Sequence, residues 1–111
     1  MKENIKIPEI RNARFIKLIK VYLLDRDQHL IESSTLLKHQ QYRALYVDNN
    51  GKYFVINPTN VIDERDVFTK YNSLDEIKEK MRQYALERVK NKKLGYVLDP
   101  NATADEDEIQ Q

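Results

Sequence analysis

A chain of 111 residues with a formal net charge of +1 has the length of one domain, enough to bury a single core and too short for two ordinary ones. Leu, Ile, Val and Phe supply 31 residues, above the share of ~20% below which disorder is expected. With no Cys a disulfide framework and a thiolate metal site are excluded, and without an apolar run longer than a few residues a signal peptide and a membrane span are excluded too, so a cytoplasmic location is expected.

Residues 1–12 read as an extended arm. Phe15 to Leu24 fits two patterns: Phe15, Leu18, Ile19, Tyr22 and Leu23 form a helical stripe, while Phe15, Ile19, Val21 and Leu23 share one face of a strand. The polar cluster Asp25-Arg26-Asp27-Gln28, followed by His29-Leu30-Ile31-Glu32, favours a strand and a hairpin. The next signal is stronger. Ala44 to Ile56 places Asn50-Gly51 between two runs of β-branched and aromatic residues, and Asn-Gly supplies the positive φ angles of a tight hairpin turn. A two-residue turn there pairs Val47 with Phe54 and Leu45 with Ile56, and leaves Tyr42, Tyr46, Tyr53 and Val55 on the opposite face.

Asn57-Pro58-Thr59-Asn60 ends that strand, and 61–71 reads as a loop with a short extended piece. Ser73-Leu74-Asp75-Glu76 is a capping box, with the Ser73 hydroxyl accepting the Glu76 amide and the Glu76 carboxylate reaching back to the Ser73 amide. Leu74, Ile77, Met81, Tyr84, Ala85 and Val89 then mark the buried stripe of a long helix. Cations in Asn91-Lys92-Lys93-Leu94-Gly95 suit the negative end of the helix dipole, and Gly95 suits a left-handed cap. Tyr96-Val97-Leu98 returns as a short strand. These elements make an α+β class: a small β-rich sheet or barrel packed with one long C-terminal helix, one domain over 1–98, and a flexible acidic tail over 99–111.

The charge is unevenly placed. Residues 1–95 carry all 19 Lys and Arg against 13 of the 18 Asp and Glu, whereas the last sixteen residues hold five carboxylates and no cation. A mildly basic body bears on partners rather than on fold. Asp25-Arg26-Asp27 and Asp63-Glu64-Arg65-Asp66 are the carboxylate clusters of that body; an Arg splits each, no phosphate loop accompanies them, and they read as polar turns with no metal. His29 and His39 lack a nucleophile context and read as surface histidines. Asn101-Ala102-Thr103 matches a glycosylation sequon by chance, since nothing directs secretion. No catalytic residue and no cofactor is expected.

Tyr42, Tyr46 and Tyr53 on one sheet face can stack splayed bases, with Arg43, Lys52, Lys90, Lys92 and Lys93 contacting phosphates. The competing reading packs the same tyrosines under the helix, with the lysines merely solvating a surface. The hairpin-rich body around Tyr42-Arg43-Ala44-Leu45-Tyr46-Val47, followed by Phe68-Thr69-Lys70-Tyr71-Asn72-Ser73 entering one long helix, resembles the small PrgU-like proteins of Gram-positive conjugative plasmids over Phe15 to Leu98. That resemblance implies a compact PUA-like, RNA-binding fold and a regulatory role in expressing plasmid transfer or surface-protein genes. The expectation is a non-enzymatic nucleic-acid-binding regulator, with RNA favoured as partner. Two alternatives stand beside it. One is a protein-interaction module, an inhibitor or adaptor of a phage or plasmid, with homodimerisation through a hairpin edge. The other is a winged helix-turn-helix DNA binder, which requires Phe15–Leu24 and Ser33–Gln41 to be helices.

Overall fold

The computed structural model describes residues 5–37, 40–58, 62–63 and 65–103. Strands β1 (Ala13–Leu24), β2 (Leu30–Glu32), β3 (Tyr42–Asp48), β4 (Tyr53–Ile56) and β5 (Gly95–Leu98), with helix α1 (Leu74–Lys90) between β4 and β5, form an antiparallel sheet packed against one helix. The α+β class and its hairpins are therefore as expected. Phe15–Leu24 is strand and the described part of 33–41 contains turns, so the architecture is not a winged helix-turn-helix. His39, Glu64 and the carboxylates Asp105 to Glu108 lie outside the described residues.

Strand β1 organises the sheet. Its first part pairs with β3, from Ala13 opposite Asp48 to Lys20 opposite Tyr42. Its last residues pair with both β2 and β5, with Leu24 opposite Leu30 on one side and Gly95 on the other. The hand-over from β3 to β2 is sealed at Val21, whose N–H donates to the Gln41 carbonyl at 2.7 Å and whose carbonyl accepts the buried Ser33 hydroxyl at 2.6 Å. The register shifts by one at Ile16, where Phe15 faces Tyr46 but Lys17 faces Leu45. Such a bulge lets adjacent residues turn toward one side; Ile16 is fully buried and Lys17 is 7% exposed. No pairing among the described residues closes the strands into a barrel. The outer edge of β4 meets Tyr71 instead, through two backbone hydrogen bonds of 2.8 Å with Tyr53.

The β3–β4 register is one residue away from the expected one. Val47 pairs with Tyr53, Tyr46 with Phe54 and Leu45 with Val55. The loop has three residues, because the Gly51 amide closes onto the Asp48 carbonyl at 3.0 Å and Asp48 N–H donates to the Lys52 carbonyl at 2.8 Å. Gly51 takes the left-handed conformation at φ 77°, the position that a type I turn with a following bulge requires. Since strand faces alternate with period two, one extra loop residue exchanges the partners on both faces.

Both faces are covered. On one, Ile16, Ile19, Val21, Leu45 and Leu98 pack with Leu74 and Ile77 of α1, joined by Val47, Tyr53, Val55 and Met81. Burying each Leu or Ile in this layer contributes about 1.5–3 kcal/mol. On the other, Ala44, Tyr46, Phe54 and Ile56 pack with Phe15, Leu18, Ile62 and Phe68, and Ile7 and Ile10 of the arm lie across them. The arm is held by Tyr46, whose hydroxyl donates to the Pro8 carbonyl.

Helix α1 begins as its cap predicts, with the Glu76 amide donating to Ser73 Oγ at 3.1 Å. The reciprocal bond lands one residue earlier than expected: Glu76 Oε1 accepts the Asn72 amide at 2.7 Å. Its end departs further. The left-handed residue is Lys92, at φ 62°, and not Gly95. Lys93 N–H donates to the Arg88 carbonyl at 2.8 Å and Lys92 N–H to the Val89 carbonyl at 3.0 Å, the two bonds of a Schellman cap. Gly95 serves a different purpose, because a Cβ there would stand 2.7 Å from the Ala85 carbonyl oxygen and 2.8 Å from the Ala85 Cβ. Only glycine lets β5 approach the helix this closely.

The chain also stays attached past the expected boundary at Leu98. Asp99 N–H donates to the Lys20 carbonyl at 2.9 Å, Ala102 packs against the helix-side core, and Lys78 Nζ donates to the Pro100 carbonyl at 3.3 Å. The packed domain thus continues to about residue 102, where hydrogen bonds to residues distant in sequence and one small apolar side chain hold the segment without a periodic pattern.

Candidate nucleic-acid interface

The three tyrosines do not share a face. Tyr42 and Tyr46 lie on one side of β3, while Tyr53 lies on the helix side, packed against the Leu45 layer. Tyr46 is 1% exposed. Its ring is edge-on to Phe15 at 5.8 Å and stacked on Phe54 at 5.3 Å, and Phe54 stacks in turn on Phe68 at 4.8 Å. Burial pushes its hydroxyl pKa up to about 12. A base cannot reach a ring enclosed by other rings, so Tyr46 is a core residue and not a stacking platform.

Tyr42 and Tyr53 are half-buried. Opposite Tyr42 stands Lys20, whose ammonium lies 2.7 Å from Glu32 Oε1 and 5.5 Å from the Tyr22 ring. Arg43 is half-buried and donates through Nη1 to the Tyr42 carbonyl at 3.1 Å and the Gln40 carbonyl at 3.4 Å. Burial holds its pKa below the ordinary arginine value. Its expected phosphate contact is thus replaced, at least at Nη1, by backbone carbonyls. Lys52 is exposed and donates to Asn72 Oδ1, beside the helix start.

Lys90, Lys92 and Lys93 are exposed at the other end of α1. Seventeen helical residues at 1.5 Å each separate them from Lys52 by about 25 Å. The expected basic residues therefore form no single patch, because the helix axis holds them apart.

Tyr84, which sequence patterning assigned to the core, and Arg88, to which it gave no role, join the lysines at that end. Tyr84, expected in the buried stripe, is 66% exposed, and the Arg88 guanidinium carbon lies 5.9 Å from its ring centroid. Arg88 is anchored from behind, since its Nε donates to the Leu94 carbonyl at 2.7 Å. Leu94 is itself 52% exposed. The available signal was the i, i+4 spacing of Tyr84 and Arg88, which puts an aromatic and a cation side by side on a helix. The Asp25–His29 turn lies at the same end, because Leu24 pairs with Gly95.

In that turn Asp25, Asp27 and His29 bring potential metal-ligand atoms within 4.8 Å of one another. The Asp25 carboxylate already accepts the Asp27 amide at 2.9 Å and the His29 amide at 2.8 Å. Its geometry is that of a side-chain-capped turn. No protein-family model, curated protein or solved structure matches this chain.

Proposed function

We propose that this protein is a non-enzymatic, cytoplasmic RNA-binding regulator, the role that its resemblance to the PrgU-like plasmid proteins implies, and that it engages RNA at the C-terminal end of α1. The observation that carries the reading is the exposed Tyr84 ring with Arg88 beside it, next to Lys90, Lys92 and Lys93. An aromatic face can stack an unpaired base for about 1–3 kcal/mol, and cations around it contact phosphates. Single-stranded RNA fits such a platform better than a duplex, whose bases are already stacked. Asp25 and Asp27, on the neighbouring turn, temper the positive potential there.

The test is fluorescence anisotropy of labelled single-stranded RNA and duplex DNA at two salt concentrations. RNA binding should weaken with salt, fall in Tyr84→Ala, and lose about 0.7 from its log–log salt slope per Lys removed in Lys90→Gln, Lys92→Gln and Lys93→Gln. Absence of RNA binding at low salt, or binding indifferent to all four changes, would overturn the reading.

A second reading, the protein-interaction module, is favoured by β2. Leu30 and Ile31 are 43% and 47% exposed, on an edge strand that pairs with β1 alone among the described residues. Ile31→Lys separates the two readings, because it should abolish a protein contact and leave RNA affinity unchanged.

A further inference from the structure

A cleft among the described residues lies beside the β3–β4 turn, away from the Tyr84 platform. It is an open cleft of about 870 Å³ between the arm, the β3–β4 turn, Ile62, Asp63 and the stretch from Asp66 to Lys70, a volume within the usual range of ~300–1,000 Å³ for ligand pockets. We propose that this cleft binds a small organic cation, an ammonium or guanidinium group on a flexible methylene stem, as found in polyamines and in Lys and Arg side chains.

Charge argues for the sign of the ligand. Among the described residues the cleft is lined by four carboxylates, Glu9, Asp48, Asp63 and Asp66, against two cations, Arg11 and Lys70; Asp48 pairs with Lys70 and Asp63 with Arg65, so Glu9 and Asp66 carry the charge offered to a ligand, whereas residues 1–95 as a whole have an excess of cations. Anions, RNA included, are therefore disfavoured where a cation is drawn in. Shape and surface argue for the stem. The stacked rings of Phe54 and Phe68 line the cleft, and Val67, 95% exposed, forms part of its wall.

Lys70 shows how this lining holds a cation. Its ammonium lies 2.7 Å from Asp48 Oδ2 and 5.1 Å from the Phe54 ring centroid. An alkylammonium group is thus already held between a carboxylate and an aromatic face inside this cleft, the arrangement by which proteins recognise organic cations. A ligand cation would repeat it farther along, over Phe68 and toward Asp66 and Glu9.

The full chain is to be titrated at low salt by isotopically resolved amide shifts with spermidine, with a short Arg- and Lys-containing peptide, and with succinate as the anionic control. Both cations should saturate, shifting Asn50, Val67 and Phe68, and succinate should not. The tighter of the two identifies whether the source is a free polyamine or a protein side chain. Asp66→Asn keeps the oxygen that accepts the Asp63 amide at 2.9 Å, and Glu9→Gln alters an exposed residue; together they should weaken cation binding at least fivefold at unchanged thermal stability. Non-saturating shifts spread over all surface carboxylates, or equal affinity in the double variant, overturn the proposal. RNA affinity is expected to be unchanged in the same variant, so the two sites fail or stand separately.

Discussion

The turns Asp25–His29 and Asp48–Lys52 are built on one hydrogen-bond frame and differ at one decisive position. In each, the leading Asp N–H donates to the carbonyl four residues on, and its own carbonyl accepts the amide of the residue three on. Its Oδ1 accepts the amides two and four residues on, at 2.8–2.9 Å. The fourth residue is left-handed in both, Gln28 at φ 65° and Gly51 at φ 77°. The aspartate, not the glycine, is thus what the two turns share. Glycine appears where the turn joins the strands carrying Tyr46, Phe54 and Ile56; Gln28 suffices where the turn leads into the exposed β2. Backbone strain is tolerated where little packing depends on the register.

The two hairpins should separate most under alkaline conditions. Tyr46 has its pKa raised by burial to about 12, so the folded state favours the neutral hydroxyl; its contribution is complete below pH ~10 and is lost as pH rises through ~12, by about 2–3 kcal/mol. Urea unfolding between those pH values should show the loss in the native chain and a smaller loss in Tyr46→Phe. An equal loss in both would remove Tyr46 as its source. Asp48→Ala should lower the urea midpoint more than Asp25→Ala, because Asp48 also holds Lys70 at 2.7 Å. The same pairing and the Lys52 and Asn50 amides keep the Asp48 pKa below the ordinary carboxylate value. That advantage is present above the ordinary carboxylate pKa and disappears as pH falls through the lowered one.

Gly51→Ala tests strain without crowding, as a Cβ there meets nothing within 4 Å; a cost of about 1 kcal/mol is expected from the left-handed backbone alone. Gln28→Gly is the converse and the smallest effect, a gain of up to about 1 kcal/mol partly offset by the greater freedom of the unfolded chain. If Gln28→Gly destabilised the protein, the view that β1–β2 merely tolerates its strain would be wrong.

Much of the fold was legible because it is written locally. Ser73 and Glu76 announce the helix start, the runs flanking Asn50-Gly51 announce a hairpin, and the Asp25 cluster tips Phe15–Leu24 toward strand. The expected binding face failed on one local detail: the Asp48 carboxylate and backbone close the loop with Asn49 inside it, and that one residue sends Tyr53 to the opposite side from Tyr46. Tyr84 failed differently. It belongs to the helical stripe by angle, yet β5 is drawn against Ala85 by Gly95, and Tyr84 is left at the margin.

By itself the amino-acid order determined the class of fold, the hairpins, the helix and its N-terminal cap, since each depends on residues a few positions apart. Tertiary structure alone decided which tyrosines are buried, how far the basic residues stand from one another, and that the arm and the stretch from Asp66 to Lys70 flank an acidic cleft. Those outcomes depend on strand register and on the close approach of β5 to α1, where contacts distant in sequence outweigh local preference.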